Sequence, residues 1–133
     1  MMKRLLILVV ALMATMAVAA PSLVRARDVY VLNAAAHDVA TTLYGARIQA
    51  ITRNQDCRLR VASTTSYVVE CEDGAWALVT QTELPRGLTV TANARPEFHR
   101  RGNVSPAGTV SGWDPTGRVR RVVVNVNGRV RIQ

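Results

Sequence analysis

The chain has 133 residues and a mass of 14.5 kDa, which is the length of a single domain. Apolar residues make up 49% of it and charged residues 20%, a composition that excludes a disordered tail, a collagen-like repeat and a polytopic membrane protein. The formal net charge is +8, and the eight Arg against two acids in residues 95–133 create a local positive field that favours an anionic partner.

Residues 1–22 are predicted to form a hydrophobic export or membrane segment. Lys3 and Arg4 form a short basic start, and the next 16 residues carry no charge. The pattern Ala17-Val18-Ala19 fits cleavage by a signal peptidase, which would release a soluble periplasmic protein. The apolar length equally fits one helix spanning the inner membrane, with the basic start on the cytoplasmic side. In both cases residues 23–133 are expected to form a periplasmic domain.

Residues 23–54 have the periodicity of an amphipathic helix, because apolar side chains recur at spacings of three and four. Pro21 would kink or terminate a helix arriving from the apolar segment, so we expect one long, bent helix. Asn54 is the expected stop. The apolar positions of the repeat are Val29, Leu32, Ala36, Val39, Leu43, Ala46, Ala50 and Ile51.

After the helix, two runs of residues alternate with a period of two, which is typical of strands. Folding these runs as a hairpin centred on Thr64 places Cys57 opposite Cys71 and, on the other face, Arg58 opposite Glu70. Both pairs follow from one register. Since the chain is exported, we expect the two Cys to form a disulfide.

The remaining sequence alternates turn signals with short β-rich runs. The Asn-Gly pair at residues 127–128 is a strong hairpin signal between the last two runs. One long helix followed by an antiparallel sheet is an α+β fold with segregated elements. Trp76 and Trp113 could stack on bases, although packing in the core is favoured where aromatic residues are so few. Trp113, within a Gly- and Pro-containing turn, is the more exposed candidate. The expected strands are residues 75–80, 88–92, 108–110, 119–126 and 129–132.

Three stretches resemble the GspH/FimT group of minor pseudopilins, which are type IV pilin-like proteins. Residues 46–54 read A-R-I-Q-A-I-T-R-N and are similar to the family's helix end, A-R-x-x-A-I-x-R-N. Residues 5–23 resemble its hydrophobic segment, and residues 120–132 resemble its last strand and G-R-x-R tail. The resemblance implies a long N-terminal helix packed on a small antiparallel β-sheet.

One part of the family pattern differs at the N-terminus. Family members carry a peptidase site, G-F-x-x-x-E, before the apolar run, whereas Met-Met-Lys-Arg stands there in this sequence. Either the true start lies upstream and a prepilin peptidase processes the protein, or an ordinary signal exports a soluble relative. A methylated residue at the head of the apolar segment would indicate the first alternative, and a mature protein beginning at Ala20 the second.

The resemblance implies a minor component of a type IV pilus or of a type II secretion pseudopilus, which packs with other pilins through its N-terminal helix. Some FimT-type members bind DNA in natural transformation, and their G-R-x-R tail corresponds here to Gly128, Arg129 and Arg131. One alternative is a structural minor pseudopilin with no role in DNA binding. Another is a periplasmic protein that binds a different anion, such as a phospholipid headgroup or a polysaccharide.

The residues of the tail support a DNA-binding role independently of the resemblance. In a strand, Arg129 and Arg131 point to one face about 6.6 Å apart, which suits successive phosphates. Such contacts would be independent of base sequence and sensitive to salt. The alternative is that the guanidinium groups protect a sheet edge from aggregation. Five further residues are expected to extend the basic surface: Arg100, Arg101, Arg118, Arg120 and Arg121.

No catalytic centre is expected. The sequence lacks a phosphate-binding G-x-x-x-x-G-K loop, a G-x-S-x-G nucleophile motif and an H-E-x-x-H metal motif. His37 lies in the predicted helix and His99 in an Arg-rich loop, both remote in sequence from the two Cys, which are too few for a metal site. We therefore expect no enzyme activity, no cofactor and no metal.

Overall fold

The computed structural model describes residues 1–133 apart from the side chains of Val18 and Ala19, so the expected cleavage pattern at residues 17–19 lies outside what is fully described. Over the described residues, one helix, α1 (Met2–Thr52), precedes eight strands. The strands are β1 (Cys57–Ser63), β2 (Ser66–Asp73), β3 (Ala75–Glu83), β4 (Thr89–Ala92), β5 (Glu97–Phe98), β6 (Gly108–Trp113), β7 (Val119–Val124) and β8 (Val130–Ile132).

The chain divides into two compact units, residues 1–31 and residues 32–133. In the first unit the described Leu, Met and Val side chains before Pro21 are exposed. An 18-residue window of α1 has a mean hydropathy of 2.4, so by length and composition the helix could cross a membrane. Pro21 lies inside α1 and does not end it. The expected domain boundary after residue 22 stays a prediction.

In the second unit, the remaining part of α1 supplies one side of the core. Leu32, Val39 and Leu43 are buried along one face of the helix, and Ala46 and Ala50 continue the same face toward its end. These positions repeat at three, four and seven residues, so the predicted apolar face is confirmed there. Ile51, the last position expected on this face, is instead exposed.

The helix ends at Thr52, two residues before the expected stop. Asn54 has a φ of 53°, in the left-handed region, and the N–H of Gln55 donates to the carbonyl of Ala50. This is the Schellman arrangement, in which a residue just past the helix reverses the chain and satisfies one of the last carbonyls. Asn is one of the few residues other than Gly that adopts this conformation at low cost.

The first sheet has the strand order β3-β2-β1-β5. The β1–β2 hairpin has the predicted register, with Cys57 opposite Cys71 and Arg58 opposite Glu70. The two Cys form a disulfide with an S–S distance of 2.04 Å, so the expected pairing is present. This covalent link joins the end of β2 to the start of β1, directly after the end of the helix.

The outer face of the first sheet carries an ion-pair cluster around Glu70, which is buried. Arg58 Nη2 lies 2.8 Å from Glu70 Oε2, and Arg60 Nη2 lies 2.7 Å from Glu70 Oε1. The Arg58 guanidinium also lies 4.0 Å from the centre of the Trp76 ring. Hydrogen bonding from Arg60 lowers the pKa of Glu70; burial opposes this shift, and the hydrogen bond from Arg58 adds to it. The predicted charge pair is therefore part of a three-residue network.

The second sheet has the order β4-β6-β7-β8, so the chain forms two four-stranded antiparallel sheets where the sequence pattern suggested one. The segment between β3 and β4 contains Pro85 and Gly87, and it redirects the chain away from the first sheet. Val90 is buried at the start of the second sheet, and Val110, Val122 and other Val residues continue the core there. The α+β class is confirmed, because both sheets lie after one helix and bury their inner faces in one cluster with it.

Replacing both Cys57 and Cys71 by Ser should lower the free energy of unfolding by about 3 kcal/mol, because the disulfide restricts the unfolded chain between residues 14 apart. Urea unfolding under oxidising conditions measures the difference. The wild-type protein treated with a reductant is the control and should match the double variant. Equal stability of the oxidised wild type and the variant would contradict the prediction.

Glu70→Gln should lower the free energy of unfolding by about 2 kcal/mol at neutral pH, because two half-buried Arg lose their shared carboxylate. The pKa of Glu70 is lowered in the folded state, so its stabilisation is complete above its unfolded pKa of about 4.5 and disappears as pH falls through the folded pKa. The gap between variant and wild type should therefore close in acid. Glu72→Gln, at an exposed position on the same strand, is the matched control and should change little. A gap that is the same in acid as at neutral pH would rule out this role.

Candidate nucleic-acid interface

Three turns in the second half of the chain share one backbone hydrogen-bond pattern. In each turn the N–H of the fourth residue donates to the carbonyl of the first, and the N–H of the first residue donates to the carbonyl of the fifth. The fourth residue is always a Gly with φ between 85° and 89°, a left-handed conformation that Gly adopts without strain. The turns span residues 99–103, 114–118 and 125–129.

The Asn-Gly pair at residues 127–128 lies in the third of these turns, as the sequence predicted. The loop has three residues, 126–128, because Asn127 does not adopt the positive φ that a two-residue turn requires there. The Asn125 side chain stabilises the turn by accepting the N–H groups of Asn127 at 3.2 Å and of Arg129 at 3.0 Å. The turn thus fixes the backbone immediately before the first Arg of the tail.

Asp114 plays the same part in the turn of residues 114–118. Its Oδ1 accepts the N–H groups of Thr116 and Arg118, both at 2.9 Å, and the Thr116 hydroxyl at 2.7 Å. Burial raises the pKa of Asp114, but the hydrogen bonds from Thr116 and Arg118 outweigh it and the net shift is downward. Asp114 is therefore ionised, and its carboxylate stabilises the turn by accepting these hydrogen bonds.

The helix end and the C-terminal turn meet at Arg47. Arg47 Nε donates to the carbonyl of Gly102 at 3.1 Å. A Cβ placed on Gly128 would lie 2.5 Å from that carbonyl oxygen and 2.8 Å from Arg47 Nε. Gly128 is thus required both by its φ of 85° and by the closeness of Arg47 and Gly102. The turns of residues 99–103 and 125–129 are therefore held side by side at the end of α1.

The outer face of the second sheet displays three of the predicted Arg residues. Strand alternation places Arg121, Arg129 and Arg131 on the face opposite the buried Val122 and Val130, and all three are exposed. The four strands of this sheet contain no acidic residue. Among the described residues, the guanidinium groups of these three Arg have no carboxylate within 4.0 Å. They form an exposed cationic row, which we call the outer Arg row.

Arg118 and Arg120 have partners within the fold. Arg118 Nη1 lies 3.8 Å from Asp114 Oδ2, at the turn described above. Arg120 follows the inward parity of β7, and its Nε donates to Asn33 Oδ1 on α1 at 2.7 Å. The single basic surface expected for Arg118, Arg120 and Arg121 is therefore split, because Arg120 and Arg121 point to opposite faces of an extended strand.

Arg100 and Arg101 lie in the turn of residues 99–103, beside the C-terminal turn. Both Arg are exposed, and Arg100 Nε also lies 4.0 Å from Asp56 Oδ1.

The two Trp residues differ in exposure. Trp113 is exposed at the end of β6, while Trp76 is half-buried beneath Arg58. Neither Trp is fully buried, and Trp113 is the more exposed of the two, as its place in a Gly- and Pro-containing turn predicted.

From the sequence, Arg47 is recognised only as the second residue of the helix-end motif. Its role becomes visible when α1 and the two Gly turns are placed together, since Arg47 is separated from Gly102 by 55 residues. The sequence does contain an Arg near the end of an apolar helix face and a Gly in each of two distant turns. These three residues alone do not indicate a contact, because the fold is needed to bring them together.

An apolar N-terminal helix that continues into a domain with antiparallel sheets defines the class of pilin-like proteins. Within this class, the chain belongs to the GspH family, since the family described as Type II transport protein GspH matches residues 35–128. The matched segment contains both Arg47 and Gly128 and ends just before Arg129.

Solved structures of the same class are similar in fold. The minor pseudopilin EpsH from the type 2 secretion system of Vibrio cholerae is 20% identical, with a TM-score of 0.67 over 77% of this chain and 95% of that one. The type IV minor pilin FimU of Pseudomonas aeruginosa is 16% identical, with a TM-score of 0.64 over 77% of this chain and 87% of that one. Among curated proteins, none matches the chain.

Gly128→Ala should destabilise the protein more than Gly117→Ala. Both residues have a left-handed φ, so each substitution carries a backbone strain of about 1 kcal/mol. A Cβ at Gly117 has nothing within 4 Å, whereas one at Gly128 meets the Gly102 carbonyl and Arg47. We expect the loss at Gly128 to exceed that at Gly117 by at least about 1 kcal/mol in urea unfolding. Equal losses of stability in the two variants would show that the space between Gly128, Gly102 and Arg47 can expand to accept a Cβ.

Proposed function

We propose that this protein is a minor pilin or pseudopilin of a type IV pilus or a type II secretion system. Its membership of the GspH family and the likeness to EpsH and FimU support this assignment. The apolar first part of α1 would anchor the protein in the inner membrane, with residues 23–133 in the periplasm. The same exposed apolar side chains would pack against the N-terminal helices of other pilins in the assembled filament.

We further propose that the protein binds DNA through its C-terminal hairpin, and that it serves DNA uptake. The observation that carries this proposal is the outer Arg row, in which three exposed guanidinium groups share a sheet face without a carboxylate. Arg129 and Arg131 also occupy the G-R-x-R positions of the family tail. Gly128 contributes through the backbone, because it allows the turn that precedes Arg129 to lie against Gly102.

The chemistry of the row suits the phosphate backbone and not the bases. Each guanidinium can donate two parallel hydrogen bonds to one phosphate, and side chains two residues apart on a strand are about 6.6 Å apart. A flat sheet face with guanidinium groups does not enter a groove to read base edges, so binding would be independent of sequence. Arg101 would extend the contact from the neighbouring turn, with Arg100 beside it. Arg118 and Arg120 contribute less, since each already has a partner in the fold.

A structural role without DNA binding is the second candidate, and one observation favours it. Strand β8 forms an edge of the second sheet, and its exposed Arg131 lies where charged side chains commonly prevent edge-to-edge pairing. In that case the outer Arg row would keep the sheet soluble, and the protein would act only through helix packing with other pilins.

The double variant Arg129→Ala/Arg131→Ala should weaken binding to a duplex of arbitrary sequence and flatten its salt dependence. Loss of two phosphate contacts should reduce the slope of log K against log[salt] by about 1.8. The measurement is a gel-shift or anisotropy titration of the full chain in non-ionic detergent at several salt concentrations. Duplexes of different sequence should bind alike.

The matched control removes the same charge elsewhere. Arg53→Ala/Arg86→Ala takes away two exposed guanidinium groups that lie outside the strands of the second sheet. This variant should retain most of the affinity and nearly the full salt slope. If the wild type does not bind DNA even at low salt, the DNA role is refuted and the structural role stands. If both double variants lose affinity equally, binding depends on net charge and not on the outer Arg row.

A further inference from the structure

Three side chains that can ligate a metal converge at the edge of the first sheet. Asp56, Glu97 and His99 each offer one ligand atom, and these atoms all lie within 4.8 Å of one another. All three residues are half-buried. None of them belongs to the strands of the second sheet.

Strand pairing explains why these residues meet. Strand β5 pairs with β1 so that Cys57 is opposite Phe98 and Arg58 is opposite Glu97. Cys57 and Phe98 are fully buried, so the residues flanking them turn to the other face. Extending the same register by one residue places Asp56 opposite His99. Two carboxylates and one imidazole are thereby brought to one face by pairing between residues about 40 positions apart.

The surroundings leave these groups available to a cation. His99 Nδ1 lies 3.6 Å from Asp56 Oδ1, which is beyond hydrogen-bond length. Arg58, the cross-strand neighbour of Glu97, has both its Nε and Nη2 engaged by Glu70. Among the described residues, the Glu97 carboxylate has neither a hydrogen bond nor an ion pair. Arg100 Nε is 4.0 Å from Asp56 Oδ1, and its side chain is 59% exposed, so it can move into solvent.

We propose that Asp56, Glu97 and His99 bind a divalent transition-metal ion, with Zn²⁺ as the best match. An imidazole nitrogen with two carboxylate oxygens is a borderline ligand set, which suits Zn²⁺ better than the harder Ca²⁺ or Mg²⁺. In a tetrahedral site with bonds of about 2.1 Å, two ligand atoms are about 3.4 Å apart. Ligand atoms within 4.8 Å of one another therefore need to move together by at most about 1.4 Å, which side-chain rotations can supply, with water completing the coordination.

Metal binding would tie the turn of residues 99–103 to the start of β1. Asp56 directly precedes β1, whereas His99 begins the turn that carries Arg100 and Arg101. The ion would also relieve the repulsion between two neighbouring carboxylates. This inference does not depend on the proposed DNA binding, because none of its three ligands belongs to the outer Arg row.

The test is a calorimetric titration of the untagged full chain in non-ionic detergent with zinc chloride, after treatment with a chelator. One Zn²⁺ should bind per chain, and thermal unfolding followed by circular dichroism should shift to higher temperature. Calcium chloride should give at least about tenfold weaker binding. His99→Ala and Glu97→Gln should each weaken Zn²⁺ binding about tenfold or more.

His37→Ala is the matched control, because His37 is the other His of the chain and is exposed on α1. Its Zn²⁺ affinity should equal that of the wild type. Glu97→Gln preserves the size and polarity of the side chain, so a loss of binding there with an unchanged circular dichroism spectrum would support ligation. Absence of saturable Zn²⁺ binding by the wild type, or an unchanged affinity in both His99→Ala and Glu97→Gln, would overturn the proposal.

Discussion

The contact between Arg47 and the two Gly turns constrains the whole C-terminal part of this protein. Arg47 extends from the last turns of α1 and donates to the carbonyl of Gly102, and Gly128 lies against both groups. A Cβ on Gly128 would come within 2.8 Å of Arg47 Nε, so this space exists only because residue 128 is Gly. The positions of Arg101 and Arg129 relative to the helix therefore depend on Arg47, Gly102 and Gly128, which lie outside the outer Arg row. The helix-end and tail motifs, which are far apart in sequence, are two sides of one contact.

Strand parity then divides the basic residues of the C-terminal region into two groups. Arg120 points inward and is satisfied by Asn33, whereas its neighbour Arg121 points outward with Arg129 and Arg131. Arg120 is half-buried, and partial desolvation of its guanidinium is offset by the hydrogen bond to Asn33. The three exposed Arg remain hydrated and need no partner in the fold, so their charges are available to an external anion. Net charge alone does not distinguish these two groups, since composition counts every Arg equally.

Features that depend on local pattern could be predicted from the sequence. The periodicity of the helix, its stop near Asn54 and the hairpin pairing of Cys57 with Cys71 all involve residues close in the chain. The division into two sheets could not be predicted, because a two-residue strand such as β5 has no recognisable pattern and pairs with β1 across 40 residues. For the same reason the sequence predicts no metal site: along the chain His99 is remote from the two Cys, whereas the extended register places it opposite Asp56.

The turn of residues 99–103 connects the edge of the first sheet with the C-terminal turn. Its first residue lies at the edge of the first sheet beside Asp56, and its fourth residue lies against the C-terminal turn. Val104, two residues after Gly102, donates its N–H to the carbonyl of Val126 at 2.9 Å, and this hydrogen bond extends the link between the two turns. A short segment fixed at both ends has few backbone conformations left, so Arg101 between these ends would lose less backbone entropy in the proposed contact with a phosphate than an Arg in a flexible tail would.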